Sequence, residues 1–165
     1  MNQLNEIINY IDLPRVSQVG VVVKNIQDAS SFYSKFFGLG PFTIYEFEPD
    51  RHWYLGKPSP LRLMMAKTMW GEVELELLQP LAGNSLHQTF LEEHGEGLQH
   101  IGFNVTDYES IYDRMIGAKF EPLMQAESYI EQYGGDLKAC YFDTRRIGGV
   151  ICEIIWKSWL PECTK

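Results

Sequence analysis

The sequence predicts an α+β fold in which two βαβββ modules form one curved mixed sheet around a cavity. Three observations carry this. First, "QVGVVV" at 18–23 and "HIGFNV" at 100–105 agree in residue type: a polar residue, then apolar, Gly, apolar, any residue, Val. Second, each is followed by an apolar stripe at helical spacing. Ala29, Phe32, Tyr33, Phe36 and Phe37 each precede by 79 residues their counterparts Tyr108, Ile111, Tyr112, Met115 and Ile116. Gly38 and Gly117 keep the same offset and read as helix stops. Third, three strand-like segments follow each helix, the last two joined by a turn short enough for a hairpin. A shared order at a constant offset marks an internal duplication.

In the first module, about 16–79, Asn25 is the N-cap of the helix, and strands follow at 42–47, 61–67 and 73–79, with "TMWGE" closing the hairpin. In the second, about 98–156, strands are expected at 119–125, 137–143 and 150–156, with "TRRIGG" as the hairpin turn. The loops "EPDRHWYLGKPSP" and "AESYIEQYGGD" interrupt the modules at matching places. Residues 80–97 connect the modules, with a helix in "SLHQTFLEEHG", and the whole of 1–165 reads as one domain. A curved sheet covered by a helix on one face leaves the other face open. Two such modules can close their open faces around one cavity.

The hydrophobic fraction of 45% supports a real core. No stretch approaches the roughly 20 apolar residues of a spanning helix, so no membrane partner is expected. A formal net charge of −8 repels phosphate backbones, which argues against nucleic acid. The opening "MNQLNEIINYIDLPR" lacks the basic-then-apolar pattern of a signal peptide. The three cysteines, Cys140, Cys152 and Cys163, are odd in number and form no C-x-x-C. The expectation is a cytoplasmic protein with reduced thiols, Cys140 and Cys152 being small core residues.

Strand side chains alternate between faces. Val19, Val21 and Val23, like Ile101, Phe103 and Val105, suit packing under the helices, which turns Gln18 and His100 toward the cavity. Gly20 and Gly102 leave room beside them. The last strand of each module adds a carboxylate at a matching place: Glu76 in "VELELLQ" and Glu153 in "VICEIIW". A carboxylate in an apolar strand needs a cation, donors or water nearby. Gln18, Glu76, His100 and Glu153 together make an O/N donor set for one divalent metal ion: Zn, Co, Ni, Mn or Fe. The bland alternatives are a satisfied core histidine and a Glu153 paired with Arg62 or Lys138.

Taken together, "QVGVVVKNIQDASSFYSKFFGLGPF", "VELELLQPL", "GLQHIGFNV" and "GGVICEIIW" resemble the vicinal oxygen chelate superfamily, from about Val16 to Trp156. That group includes glyoxalase I, methylmalonyl-CoA epimerase, extradiol dioxygenases and bleomycin-resistance proteins, and the likeness is nearest to the epimerase. The resemblance implies metal ligands at Gln18, Glu76, His100 and Glu153. The set Gln-Glu-His-Glu is similar to that of one form of glyoxalase I. It also implies a metal-dependent isomerase, epimerase or lyase that moves a proton α to a metal-bound carbonyl. Glu153 would be ligand and proton shuttle, with Glu76 the second catalytic candidate and Gln18 and His100 ligands only. Arg62 stands where the epimerase has a catalytic carboxylate, and there it would grip an anionic substrate group or pair with Glu74 or Glu153. The implied substrate is a 2-oxo or 2-hydroxy acid, a CoA thioester or a thiol adduct, and the implied assembly a homodimer. The rival readings are a binding protein of the bleomycin-resistance type and, more distantly, an extradiol dioxygenase.

Overall fold

A computed structural model describes residues 11–146 and 148–160. Cys163 lies outside the described residues, whereas Cys140 and Cys152 are free thiols, the first fully buried. The first module starts with β1 (Gln18–Val22) and α1 (Ile26–Phe37) and continues through β2 (Thr43–Phe47). A small hairpin follows, β3 (Arg51–Tyr54) and β4 (Lys57–Pro58), and then the long hairpin β5 (Arg62–Trp70) and β6 (Val73–Ala82). Helix α2 (Leu86–His94) leads to β7 (Gly97–Asn104), α3 (Tyr108–Gly117), β8 (Pro122–Ile130), β9 (Gly135–Phe142) and β10 (Ile151–Lys157).

The fold is α+β, as expected, with ten strands in one mixed sheet in the order β2-β5-β6-β1-β7-β10-β9-β8-β3-β4. At its centre β1 runs antiparallel to β7, while each is parallel to the last strand of its own module, β6 or β10. Near the two edges lie β2 and β3, only four residues apart in the chain between Phe47 and Arg51. That short link curls the sheet toward closure. Asp50, within it, accepts from the backbone N–H of Tyr129 at 2.7 Å and from the Ser128 hydroxyl at 3.3 Å, and Arg51 pairs with Glu127. The cavity is therefore enclosed by both modules of one chain.

Helices α1 and α3 each cover the convex face of their own module, whereas α2 places His87 on the cavity side. Asn25 caps α1 by accepting from Asp28 N–H at 3.0 Å, and Gly38 ends it in the left-handed conformation. Beneath α1 lie Val23, Ile26, Ala66, Leu75 and Leu77. Ile111 and Met115 of α3 pack on Phe103, Val105, Cys140, Phe142 and Ile154. Burying each large side chain contributes about 1.5–3 kcal/mol. The apolar stripe of α1 is not all core: Ala29 and Tyr33 pack inward, but Phe32, Phe36 and Phe37 are exposed, Phe37 stacking on Trp70 at 6.4 Å.

Other differences from the sequence reading are local. The "EPDRHWYLGKPSP" loop contains the β3–β4 hairpin, which pairs with β8. In the second module the strand starts at Pro122 rather than residue 119, because Lys119 is left-handed (φ 62°). It then runs through "AESYI" before a short 3-10 turn at Glu131–Tyr133.

Candidate metal centre

The register of the four central strands builds the site. One row across β6, β1, β7 and β10 reads Glu74, Gln18, Gly102, Glu153; the next reads Glu76, Gly20, His100, Ile151. Because strand side chains alternate, these rows share the concave face. The glycines are reciprocal. A Cβ on Gly20 would sit 1.8 Å from the His100 ring, and one on Gly102 would sit 2.8 Å from Gln18 Oε1. Each module's glycine thus makes room for the other module's polar residue.

Gln18, Glu76, His100 and Glu153 are 3%, 2%, 0% and 4% exposed, so all four are inside the protein. His100 Nε2 lies 3.3 Å from Glu153 Oε2 and 3.6 Å from Glu76 Oε2. One ligand atom from each of these three residues fits within 4.8 Å of the others. Two donors each about 2.1 Å from a common ion, set at a tetrahedral angle, stand about 3.4 Å apart. The observed spacing fits that requirement. So does the hydrogen bonding: Gln18 Oε1, His100 Nε2 and Glu153 Oε2 are buried with no hydrogen-bond partner among the described residues. Orphaned polar atoms are costly, and an ion held between His100 Nε2 and Glu153 Oε2 would satisfy both, with Gln18 Oε1 the further unpartnered oxygen on the same face. The donor set therefore fits a divalent cation.

The surrounding groups orient these donors. Gln99 donates its amide N–H to Leu86 O at 3.1 Å, which leaves Oε1 to accept from His100 Nδ1 at 3.2 Å and from His87 Nδ1 at 2.7 Å. His100 thus carries its hydrogen on Nδ1 and turns Nε2 to the carboxylates. Gln18 donates Nε2–H to Glu74 at 3.1 Å, which keeps its oxygen free. Lys67 Nζ bridges Glu76 Oε1 at 2.7 Å and Glu74 Oε1 at 3.3 Å.

The charges are strongly coupled. Burial works against the His100 imidazolium, but the Glu153 and Glu76 carboxylates 3.3 and 3.6 Å away outweigh it and raise the pKa to about 9. Burial likewise opposes ionised Glu76, yet the Lys67 charge and the His100 contact hold its pKa well below the carboxylate range. Burial and the His100 charge lower His87 to about 4. Tyr141, opposite Glu153 in the β9–β10 pairing, is driven well above its normal range by burial and by the Glu153 charge.

The centre forms one wall of a cavity of about 1270 Å³. Of the sequence candidates, Gln18, Glu76, His100 and Glu153 come together and Arg62 does not. At 61–69 the residues lining the cavity are Leu61, Leu63, Met65, Lys67, Thr68 and Met69, and the exposed Arg62 is not among them. The ion pairs considered for Arg62 are also taken elsewhere, since Glu74 meets Lys67 and Glu153 meets His100. Lys138, the other partner considered for Glu153, pairs with Glu109 at 2.7 Å. Lys67, Gln99 and His87 escaped the sequence reading. Lys67 had a usable signal: the two-residue turn Gly71–Glu72 sets it directly opposite Glu76.

A two-module curled sheet with its acidic, histidine-containing wall turned inward defines a protein of the vicinal oxygen chelate class. The chain belongs to the glyoxalase/bleomycin resistance protein/dioxygenase superfamily, whose family model matches residues 17–141. It is 26% identical over 140 residues to the uncharacterized protein YqjC of Bacillus subtilis (strain 168), covering 85% of this chain and 90% of that one. Among solved structures it resembles a methylmalonyl-CoA epimerase in complex with methylmalonyl-CoA and NH4+, with a TM-score of 0.65, 20% identity, and 92% and 99% of the two chains covered. It also resembles the hypothetical protein BH1468 from Bacillus halodurans C-125, with a TM-score of 0.62, 22% identity, and 90% and 98% covered. These structural likenesses concern the fold. Among the described residues no helix is long and apolar enough to cross a membrane.

Proposed function

We propose that this protein is a metal-dependent isomerase or lyase that moves a proton α to a carbonyl of a small substrate. Gln18, Glu76, His100 and Glu153 hold the ion. A divalent ion there supplies polarisation of the carbonyl and stabilisation of enediolate-like charge. The observation that carries the reading is the trio of buried donor atoms without hydrogen-bond partners, Gln18 Oε1, His100 Nε2 and Glu153 Oε2, beside a cavity large enough for a substrate and lined by Gln18, Glu76 and Glu153.

The two acids differ in role. Glu76 is tied to Lys67 at 2.7 Å, which disfavours its taking up a proton. No lysine or arginine pairs with Glu153 among the described residues; its charged neighbour is His100, whose Nε2, 3.3 Å from Glu153 Oε2, the metal would take. Glu153 is therefore the proton carrier and Glu76 a fixed anchor. The β5 residues that line the cavity, Leu63, Met65, Lys67, Thr68 and Met69, offer no second carboxylate. One proton carrier suits an isomerase or lyase better than a two-base epimerisation.

Solvent deuterium entering the α-carbon of 2-oxo and 2-hydroxy acids, thioesters and thiol hemiacetals tests this with metal-loaded protein. Glu153→Gln is expected to reduce incorporation at least 100-fold, in line with loss of a general base. Equal incorporation by wild type and Glu153→Gln would remove Glu153 from the chemistry.

A further inference from the structure

Lys157 is the cavity-lining charge for which the reading above has no task. On β10, Glu153, Ile155 and Lys157 all line the cavity, facing Tyr141, Ala139 and Leu137 across the β9 pairing. Lys157 is partly buried, and no carboxylate pairs with it among the described residues. The charged groups whose fields reach it are Lys67, Glu74, Glu76 and Glu153. Lys67 is already paired with Glu74 and Glu76. The remaining acids on the cavity wall, Glu46, Glu48 and Glu131, are exposed, so solvent screens them.

A half-buried ammonium on a cavity wall, without a counter-ion, is a ready partner for an anion entering the cavity. The charge count points the same way. With a divalent ion in place, Glu74, Glu76 and Glu153 carry three negative charges against four positive ones from the ion, Lys67 and Lys157. One positive charge is left over, and Lys157 is the group without a partner. Four residues along a strand separate its Cα from that of Glu153 by about 13 Å.

We infer that Lys157 binds an anionic group, a carboxylate or phosphate, at the far end of the ligand whose carbonyl end the metal centre grips. The substrate is then two-ended: a chelating carbonyl at one end and, several carbons away, a second anion. Trp159 and Leu160 border the same stretch of the cavity and Tyr133 stacks on Trp159 at 4.8 Å, which shields the ion pair from water on that side. This inference rests on the proposed metal-centred reaction for the placement of the first end.

Binding of 2-oxo acids of six to eight carbons, ending in methyl, carboxylate or phosphonate, tests the inference by calorimetry on zinc-loaded and metal-free protein. In wild type, the carboxylate- or phosphonate-ended probe is expected to bind at least about tenfold tighter than the methyl-ended one. Whichever is preferred tells carboxylate from phosphate. Lys157→Met removes that preference and leaves methyl-ended binding unchanged; Lys157→Arg keeps it. Matching thermal melts confirm that the variants fold. Equal binding of all probes by wild type, binding of none, or a preference that survives in Lys157→Met would overturn the inference. An anion preference that persists in protein unable to take up stoichiometric zinc keeps Lys157 in this role and instead removes the metal-centred reading.

Discussion

Gly20→Ala is the substitution that asks most directly whether His100 stands where the sheet register places it. The added Cβ would lie 1.8 Å from His100 Cε1, 2.1 Å from Nε2 and 2.4 Å from Nδ1. Ordinary contact begins near 3.4 Å, so the ring or the strand must retreat by about 1.6 Å. The ring has little room to do so. It is fully buried, its Nδ1 is tied to Gln99 at 3.2 Å, and Tyr141 stands edge-on with centroids 5.0 Å apart. Overpacking of this kind costs about 1–3 kcal/mol, which for a chain of this size lowers Tm by about 2–12 °C. The effect on metal is larger, because ligand distances tolerate only about 0.2 Å. Removing His100 from the donor set is expected to weaken zinc at least about 100-fold, beyond the 10–100-fold of a lost supporting contact. Competition with a chromophoric chelator measures the affinity, and thermal melting the stability. Gly97→Ala, in the neighbouring strand β7 that carries His100, is the control, since its Cβ would meet nothing nearer than Phe90 at 3.9 Å. Wild-type zinc affinity in Gly20→Ala would refute the placement of His100 and with it the four-residue centre.

Two further perturbations probe the charges. In metal-free protein the raised pKa of His100 contributes stability that is fully present below about 6.5 and is lost as pH rises through about 9. Urea unfolding in the presence of chelator should therefore show a loss on the order of 3 kcal/mol across that window. Zinc affinity, which needs unprotonated Nε2, should rise over the same window; a flat pH profile for both contradicts the coupling of His100 to the two acids. Lys67→Met leaves Glu76 buried without its cation and is expected to destabilise the metal-free protein by about 3–5 kcal/mol. Part of that loss should return on adding zinc, as differential scanning calorimetry with and without the ion would show.

The four-residue centre was legible because its signal is local and periodic. A strand's period of two turns every second residue inward, and the duplication supplies two copies of each position. Gln18, Glu76, His100 and Glu153 needed nothing more than counting. Arg62 was misplaced because it was assigned by likeness to a family pattern, while the residues lining the cavity at 61–69 are Leu61, Leu63, Met65, Lys67, Thr68 and Met69. Lys67 was passed over because a strand lysine ordinarily reads as solvent-facing; its partner lies across the hairpin. His87 and Gln99 were illegible for another reason. Their bond joins α2 to β7, and nothing in a sequence states how far a helix leans onto a neighbouring strand. The β3–β4 hairpin hid in a segment rich in Gly and Pro, and it pairs with β8 from the other module. Phe32, Phe36 and Phe37 show the reverse error, since an aromatic stripe at helical spacing need not be core.

The site also shows how two equivalent halves come to do different work. The axis between β1 and β7 exchanges Gln18 with His100, Gly20 with Gly102 and Glu76 with Glu153. The next neighbours break that equivalence. Opposite Glu76 across its hairpin stands Lys67, whereas opposite Glu153 stands Tyr141. Beside Gln18 in its row stands Glu74, whereas the matching neighbour of His100 is Ile151. One half therefore sets its acid against an ammonium, with Lys67 between Glu74 and Glu76; the other sets Glu153 opposite Tyr141 and beside His100, with no lysine paired to it among the described residues. In a low-dielectric surrounding, a carboxylate locked to an ammonium is a poor proton acceptor, and one without a cation is a better one. Duplication accounts for four donors around one point. On the proposed function, the unequal neighbours, Lys67 against Tyr141 and Glu74 against Ile151, would make one acid a support and leave the other to move a proton.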